Sequence, residues 1–305
     1  MVEIIRPRVE GTVEVGPLLD RRLSFAEFGA PSGRTVLWLH GTPGARRQIP
    51  PEAREFAVRE GLRVIGIDRP GIGLSTPHVY ERFGDFAADI AIVADRLGID
   101  EMAVVGLSGG GPYTLALAEH LSGLVTVAGV LGGVAPTRGV EAIDGGLMAL
   151  GRRVAPLVKV GRTSVGAGLT QAVRLIKPAA GPILDVYGRV SPRGDRELLA
   201  RPEFKQMFLD DLLTGSRRQF SAPFSDILLF AKEWDFALGQ VPAPVVWWHG
   251  DADHIVPLRH GEHCVELLPR AELRVISGES HLGGLGVAEE VLSTVLDVWD
   301  GRIIV

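Results

Sequence analysis

Three residues of this chain, a serine, an aspartate and a histidine, are candidates for an acyl-transfer triad because of their types, their order and the motif around the serine. Ser108 lies in the run GLSGG (106–110), a Gly-x-Ser-x-Gly pattern, and Asp253 and His281 follow it in that order. A serine hydroxyl is a weak nucleophile near neutral pH, and it needs a histidine base that a carboxylate orients. These residue types predict covalent catalysis, in which Ser108 attacks a carbonyl carbon.

The serine pattern lies where a strand is expected to turn sharply into a helix. A β-branched apolar run (102–107) ends at Ser108, and a run of small residues with helical character follows to residue 121. This is the context of a nucleophile elbow, which exposes the hydroxyl on a strained backbone. Gly106 and Gly110 lack the Cβ atoms that would clash in such a turn. The alternative is a glycine-rich turn in which Ser108 only caps the helix.

The elements that must position these residues alternate between strand and helix patterns. Apolar runs predict strands, and residues at helical spacing predict the helices between them. The predicted strands are 21–28, 35–40, 63–68, 102–107 and 125–130, and the predicted helices are 51–60, 83–97 and 113–121. The alternation predicts an α/β fold with a mostly parallel, doubly wound sheet. Ligands bind beyond the carboxyl ends of such strands, where His40, Asp68 and Ser108 fall.

The alternation stops near residue 135 and returns at residue 245. Helical patterns broken by glycine and proline fill the gap at 141–154, 169–176, 183–187, 203–213 and 226–236, and strands (245–249, 272–277) and helices (259–268, 287–299) then resume. We interpret residues 136–240 as a helical cap, or lid, inserted into a core domain of residues 1–135 and 241–305. Asp253 and His281 each follow one of the late strands, so both are expected at the same edge of the sheet as Ser108.

Four motifs, taken together, resemble the α/β-hydrolase fold superfamily, in its capped esterase- and epoxide-hydrolase-like branch. HGTPG (40–44) is similar to its H-G-x-P-G oxyanion loop, and DRPGIGLS (68–75) resembles its D-x-P-G-x-G-x-S loop. GLSGG matches the nucleophile elbow. GDADHIVP (250–257), with GESH (278–281) as the histidine loop, resembles its G-x-x-D-x-x-V-P motif. The resemblance covers both halves of the predicted sheet, but not the inserted segment.

The resemblance implies a role for each matched residue. Ser108 is the nucleophile, His281 the base, and Asp253 the acid that orients it. The backbone N–H groups of Thr42 and Gly109 form the oxyanion hole. Supporting positions in the same loops are His40, Gly41, Gly44, Gly106 and Gly110. Whether the Thr42 hydroxyl adds a third donor stays open, and Asp251 and Asp144 are the alternative triad acids.

A serine at the elbow favours hydrolysis of a small to medium carboxylic ester with an apolar acyl part. A dehalogenase or epoxide hydrolase of this fold would carry aspartate there, and the epoxide chemistry also needs two cap tyrosines, of which residues 136–240 offer Tyr187. Three alternatives stay open. One is a proline-iminopeptidase-like enzyme that acts on an amide, in which Glu203, Asp210, Asp211 or Asp226 grips a substrate amine. The others are a C–C bond hydrolase or perhydrolase on the same triad, and a non-catalytic small-molecule receptor.

Composition excludes several other classes of function. The net charge of -5 gives no reason to expect nucleic acid, and no phosphate-binding glycine motif is present. Cys264 is the single cysteine, so neither an internal disulfide nor a cysteine zinc cluster can form, and we expect it to be buried. We expect no metal, no cofactor, no membrane span and a cytoplasmic location. The pair Arg46 and Arg47 is expected to be solvated, and the alternatives are a salt bridge to the cap or a contact with a substrate carboxylate.

Overall fold

One sheet of eight strands forms the centre of the molecule. The computed structural model describes residues 3–143, 145, 180–216 and 222–305. Within these ranges the strands are β1 (Val9–Val15), β2 (Arg21–Gly29), β3 (Thr35–Leu39), β4 (Arg63–Asp68), β5 (Met102–Leu107), β6 (Val125–Leu131), β7 (Val245–Gly250) and β8 (Ala271–Ile276). Their order across the sheet is β1-β2-β4-β3-β5-β6-β7-β8.

The sheet is parallel from β4 to β8, and β1 and β2 pair antiparallel at one edge. Every residue of β3, β5 and β7 is buried, because helices cover both faces and the strands must therefore be apolar throughout. The predicted α/β fold with a mostly parallel sheet is confirmed. The sequence did not predict β1, whose Glu10 and Glu14 are exposed on an edge strand.

Helices pack on both faces of the sheet and enclose two apolar clusters. The helices of this layer are α1 (Pro51–Arg59), α2 (Phe83–Leu97), α3 (Gly110–His120), α8 (Arg259–Leu267), the short α9 (Gly283–Gly286) and α10 (Ala288–Trp299). One cluster joins α2, α3 and α8 through Phe86, Leu117 and Cys264, and the other joins α1 and α10 through Phe56 and Val291. Cys264 is fully buried, as predicted, and burial raises the pKa of its thiol.

Among the described residues, four further α-helices, called here the inserted helices, come between β6 and β7 along the chain. They are α4 (Ala180–Val190), α5 (Arg193–Ala200), α6 (Pro202–Gly215) and α7 (Ala222–Phe230). The helices predicted at 183–187 and 203–213 are present and longer than predicted. The one predicted at 226–236 begins earlier and ends at Phe230, and α5 was not predicted. The patterns at 141–154 and 169–176 lie almost wholly outside the described residues.

The strand order reverses between β3 and β5, which are neighbours although β4 lies between them in sequence. At such a switch point the two loops that leave the carboxyl ends diverge and leave a crevice. Leu39 pairs with Gly106 in the register of these strands. Thr42 and Ser108 follow these paired residues by three and two positions, so the loops that carry them begin side by side at the carboxyl edge of the sheet. None of the described helices is both long and apolar enough to cross a membrane.

Candidate active site

Ser108 lies in the turn between β5 and α3, with a backbone φ of +52°. This left-handed conformation is strained for a residue with a side chain. The surrounding backbone is too close for anything but glycine at two positions, because a Cβ atom on Gly106 or on Gly110 would lie 2.5 Å from a carbonyl oxygen. The turn is therefore the sharp strand-to-helix elbow that the sequence predicts.

Three side chains from three loops form a continuous hydrogen-bonded chain. His281 Nε2 lies 2.9 Å from Ser108 Oγ, and His281 Nδ1 lies 2.7 Å from Asp253 Oδ2. Ser108 is 8% exposed and Asp253 is 5% exposed. The structure thus brings together the three residues that the sequence singled out, although they follow β5, β7 and β8.

The carboxylate of Asp253 is held by several donors. Its Oδ1 accepts the backbone N–H groups of Ile255 and Val256 at 2.8 and 2.9 Å. Its Oδ2 faces His281 and lies 3.5 Å from His249 Nε2. Burial alone would raise the pKa of Asp253, but these donors together hold it well below its usual value. Asp253 is therefore ionised and fixed in orientation.

His249, at the end of β7, lies beside Asp253 and was not singled out from the sequence. Its Nδ1 accepts the indole N–H of Trp247 at 3.1 Å, so its proton is on Nε2. That Nε2–H faces the carbonyl of Val256 at 2.8 Å and the carboxylate of Asp253. Residues two positions apart in a strand point to the same face, so the spacing of Trp247 and His249 in the predicted strand could have indicated their hydrogen bond.

Thr42 and Gly109 lie against each other beside Ser108. A Cβ atom on Gly109 would be 2.4 Å from Thr42 Oγ1, so only glycine allows this approach. The Thr42–Pro43 peptide bond is cis. Within the described part of the chain, neither the N–H of Thr42 nor that of Gly109 donates a hydrogen bond. Both donors are free to bind an oxygen atom.

Hydrogen bonds of the His40 and Gln48 side chains hold the loop that carries Thr42. His40 Nε2 accepts the N–H of Arg69 at 3.3 Å, and Nδ1 donates to the Gly41 carbonyl at 2.7 Å. Burial and the charge of Arg69 hold the pKa of His40 well below its usual value, so its ring is neutral. Gln48 Oε1 accepts the Gly41 N–H at 2.7 Å, and a Cβ atom on Gly44 would lie 2.5 Å from that same oxygen.

The Thr42 hydroxyl, whose role the sequence left open, donates to Asp226 Oδ2 at 2.6 Å. Asp226 lies on α7, and the guanidinium of Arg69 approaches the same oxygen at 2.8 Å. Sequence analysis named Asp226 only as a candidate amine-binding residue and did not single out Arg69. Their positions in the sequence are too far apart to indicate the contact.

The alternative triad acid Asp251 has a different partner. It is exposed, and its Oδ1 accepts the N–H of Gly278 at 2.7 Å, which ties the two late loops together. Asp144 lies outside the described residues. Of the expectations for the arginine pair, that for Arg46 was wrong. Arg46 is 6% exposed, because Asp68 and Glu10 both converge on its guanidinium.

The other acidic candidates on the inserted helices also have internal partners. Asp211 is buried and accepts the N–H groups of Ala45 and Arg47 at 2.9 and 3.0 Å. Burial, together with the nearby charge of Asp68, raises its pKa to about 7. Asp210 pairs with the Arg47 side chain at 2.9 Å, and Glu203 pairs with Arg201 at 2.9 Å.

An apolar cavity of about 310 Å³ lies beside the loop that carries Thr42. Its floor includes Pro43 and Gly44, and its walls come from α4 and α6 of the inserted helices. The apolar side chains of these walls include Ile183, Leu184, Tyr187, Phe208 and Leu212. Among the described residues no group of histidine, cysteine or acidic side chains is arranged to hold a metal ion.

Comparisons with known proteins agree with this fold. A family model described as the alpha/beta hydrolase fold matches residues 34–143. A non-heme haloperoxidase of Rhodococcus erythropolis is 31% identical over 265 residues, which are 82% of this chain and 86% of that protein. A proline iminopeptidase of Neisseria meningitidis is 36% identical over 132 residues, and the match covers 41% of each chain.

Solved structures resemble the whole chain in fold. An esterase of a Rhodococcus species has a TM-score of 0.69 at 20% identity, with 95% of this chain and 99% of that chain covered. A bromoperoxidase of Bacillus anthracis has a TM-score of 0.66 at 20% identity, with 94% and 99% covered. The solved structures share the fold, and the family model together with the haloperoxidase relative identifies the chain as a member of the α/β-hydrolase family.

Proposed function

We propose that this protein is a serine hydrolase that cleaves a small to medium carboxylic ester through an acyl-enzyme on Ser108. The observation that carries the proposal is the hydrogen-bonded chain from Ser108 through His281 to Asp253, with distances of 2.9 and 2.7 Å. An ionised Asp253 accepts a hydrogen bond from the Nδ1–H of His281, which fixes the ring proton on Nδ1 and leaves Nε2 free to accept the proton of the serine hydroxyl.

Acylation begins when Ser108 Oγ attacks the ester carbonyl carbon and its proton moves to His281 Nε2. The carbonyl π electrons move to the oxygen, which becomes an oxyanion. The free N–H groups of Thr42 and Gly109 stabilise that charge, since donors fixed in advance act strongly in a buried site. When the tetrahedral intermediate collapses, the C–O bond to the alcohol breaks and His281 gives its proton to the leaving oxygen.

Deacylation repeats these steps with water. His281 Nε2 takes a proton from water, the hydroxide oxygen attacks the acyl carbon, and a second tetrahedral intermediate forms in the same hole. Its collapse breaks the bond to Ser108 Oγ, which recovers its proton from His281 and releases the carboxylic acid. Throughout both steps Asp253 stabilises the charged imidazolium.

The inserted helices form part of a cap, residues 136–240, over a core of residues 1–135 and 241–305. Two contacts support this division: Asp195 of α5 accepts the N–H of Leu282 beside His281 at 2.8 Å, and Asp211 of α6 holds the loop after Thr42. We assign the acyl group to the apolar cavity that Pro43 and Gly44 line together with α4 and α6, and such a lining favours an acyl group without charge.

The aminopeptidase alternative is less well supported. An enzyme that binds a substrate amine needs a carboxylate oxygen that the amine can reach. Asp226, Asp211, Asp210 and Glu203 all have internal hydrogen-bond or ion-pair partners. The pair of Asp226 with Arg69 is buried and would be costly to break, and Asp211 is buried with both oxygens bonded to backbone N–H groups. Asp210 and Glu203 are partly exposed, and an amine there would compete with Arg47 or Arg201.

The similarity to a haloperoxidase favours a second candidate, perhydrolysis on the same triad. In this reaction hydrogen peroxide replaces water as the nucleophile that attacks the acyl-enzyme, so the product is a peracid rather than an acid. The acylation step is unchanged, and Ser108, His281 and the oxyanion donors keep their roles.

Labelling with a fluorophosphonate probe tests the proposal directly. We expect one covalent adduct by intact mass, which peptide mapping assigns to Ser108. Ser108→Ala should abolish labelling, whereas Ser122→Ala, which removes an exposed serine after α3, should not change it. A folded protein that does not react, or an adduct on another serine, would contradict the proposal.

A substrate panel then separates the chemistries. We expect turnover of p-nitrophenyl esters with short to medium acyl chains and none of aminoacyl anilides. Peracid formation from the same esters in hydrogen peroxide measures the perhydrolase candidate. Cleavage of proline anilides faster than of esters would favour the aminopeptidase instead.

A further inference from the structure

A buried ion pair links the inserted helices to the loop that carries Thr42. Asp226 lies on α7 and Arg69 follows β4, and their side chains are 3% and 1% exposed. Arg69 Nη2 is 2.8 Å from Asp226 Oδ2. Removing two charges from water is unfavourable unless hydrogen bonds compensate it. The acyl-transfer steps above do not use either charge, so the pair needs an explanation of its own.

Arg69 contacts three consecutive residues of the loop. Its Nη1 donates to the His40 carbonyl at 2.6 Å, and its Nη2 donates to the Gly41 carbonyl at 2.8 Å and to the Thr42 hydroxyl at 2.9 Å. A guanidinium is planar and its donors have fixed directions. One side chain therefore fixes the positions of these three residues relative to one another.

Asp226 fixes the orientation of Thr42. Its Oδ2 accepts the Thr42 hydroxyl at 2.6 Å, and its Oδ1 accepts the hydroxyl of Tyr113 at 2.8 Å. The Thr42 hydroxyl thus donates to Asp226 and accepts from Arg69, so the side chain cannot rotate without breaking both contacts. Tyr113 lies on α3, the helix that follows Ser108, and so the same carboxylate joins both sides of the site.

We propose that Asp226 and Arg69 are positioning residues for the oxyanion hole. They act through the Thr42 hydroxyl to hold the Thr42 N–H in place while negative charge develops on the substrate oxygen. This inference rests on the proposed function. Placement of such donors matters because a displacement of about 1 Å can slow a reaction about 100-fold. Since Asp226 belongs to the inserted helices, the hole is complete only when α7 is docked on the core.

The test compares changes that remove the contact with changes that keep it. Thr42→Val removes the hydroxyl but keeps the shape and the N–H, and Thr42→Ser keeps the hydroxyl. Asp226→Asn removes the charge from the other end. Asp210→Asn is the matched control, because Asp210 also joins an inserted helix to the core, through Arg47, but is 29% exposed.

Two measurements report on the hole: kcat and KM for p-nitrophenyl acetate, and the second-order rate constant of fluorophosphonate labelling. We expect Thr42→Val and Asp226→Asn to lower kcat and the labelling rate about 10- to 100-fold, with KM changed less than about threefold. Asp210→Asn should stay within about threefold of the wild type, and Thr42→Ser, which keeps the hydroxyl, should be faster than Thr42→Val by both measurements. The double variant Thr42→Val/Asp226→Asn should be no slower than the slower of its two single variants, since Thr42 and Asp226 act as one unit.

If the ion pair only stabilised the fold, the variants would have a lower melting temperature, and at temperatures below it their kcat and labelling rate constants would equal those of the wild type. Wild-type kcat and labelling in folded Thr42→Val, or a loss confined to KM, would overturn the inference. That variant leaves the ion pair intact, so it decides the question even if Asp226→Asn fails to fold. A wild-type protein without an adduct on Ser108 would overturn the proposed function as well, whereas normal wild-type labelling with unaffected variants would overturn only the positioning role.

Discussion

Replacing Asp253 by asparagine should reduce kcat about 10⁴-fold, and the geometry of its loop gives the reason. The N–H groups of Ile255 and Val256 both point at Oδ1, at 2.8 and 2.9 Å. An asparagine in this place must put its amide oxygen there, because its NH₂ group would face two donors. The NH₂ group is then at the position of Oδ2, 2.7 Å from His281 Nδ1.

An NH₂ donor at that distance requires Nδ1 to accept, so the proton of His281 moves to Nε2. The ring then presents N–H to Ser108 Oγ and cannot take its proton. The variant keeps the fold and the oxyanion hole but has the wrong tautomer, for which we expect a loss of about 10⁴ in kcat, or about 5 kcal/mol in the activation barrier.

Steady-state hydrolysis of a p-nitrophenyl ester measures this effect, with circular dichroism to verify the fold. Asp251→Asn is the matched control: an amide oxygen can still accept the N–H of Gly278, so kcat should stay within about threefold of the wild type. If Asp253→Asn retains more than a tenth of kcat, or if Asp251→Asn is the inactive variant, the tautomer argument is wrong.

Three further predictions concern residues around the site. His249→Phe should lower kcat/KM about tenfold and destabilise the fold by about 1–3 kcal/mol, because Asp253 and the Trp247 indole each lose a partner. Steady-state kinetics and denaturant unfolding measure the two effects, and unchanged values would contradict the contact. Asp211 has a folded-state pKa of about 7, above its unfolded value, so the folded state retains a proton between about pH 4 and pH 7 that the unfolded chain has lost. The free energy of unfolding should therefore fall as pH rises through this window. Between pH 5 and pH 8 the fall should be about 3 kcal/mol in the wild type, and the Asp211→Asn variant should lack it, which unfolding curves at these two pH values would measure; identical pH dependence in both proteins would refute it. Gly106→Ala should cost about 1–3 kcal/mol or prevent folding, since its Cβ would lie 2.5 Å from a backbone oxygen, and a wild-type melting temperature would show that the turn can relax.

The sequence predicted well those elements whose pattern is set by burial. The bounds of β4, β5 and α2 agree with the structure to the residue, because a strand covered on both faces is apolar throughout and Gly98 ends α2 in a left-handed conformation. The edge strand β1 has no such constraint. Helix α5 is short and highly charged, and the glycine at its second position lowers helix propensity, so its pattern gave no signal.

The candidate triad could be proposed from the sequence because each of its residues lies in a local motif at the end of a strand. The ion pair of Arg69 and Asp226 has no local motif, since 157 residues separate its members. The burial of Arg46 has no local motif either. Its partners Glu10 and Asp68 come from β1 and β4, whereas Arg46 lies in the loop after β3, so the burial could not be predicted. Local patterns thus predict where polar side chains leave the sheet, whereas the partners of a buried charge depend on the packing of distant segments.

The separation of Ser108 from His281 by 173 residues has a consequence during protein synthesis. At a translation rate of about 5–20 residues per second, a ribosome needs about 9–35 s to add the residues between them. Throughout that interval the serine hydroxyl has no base and is an ordinary alcohol. If Ser108 acts through His281 as proposed, a nascent chain cannot react with a fluorophosphonate at Ser108, and such a probe counts only those molecules in which both halves of the sheet have been made and joined.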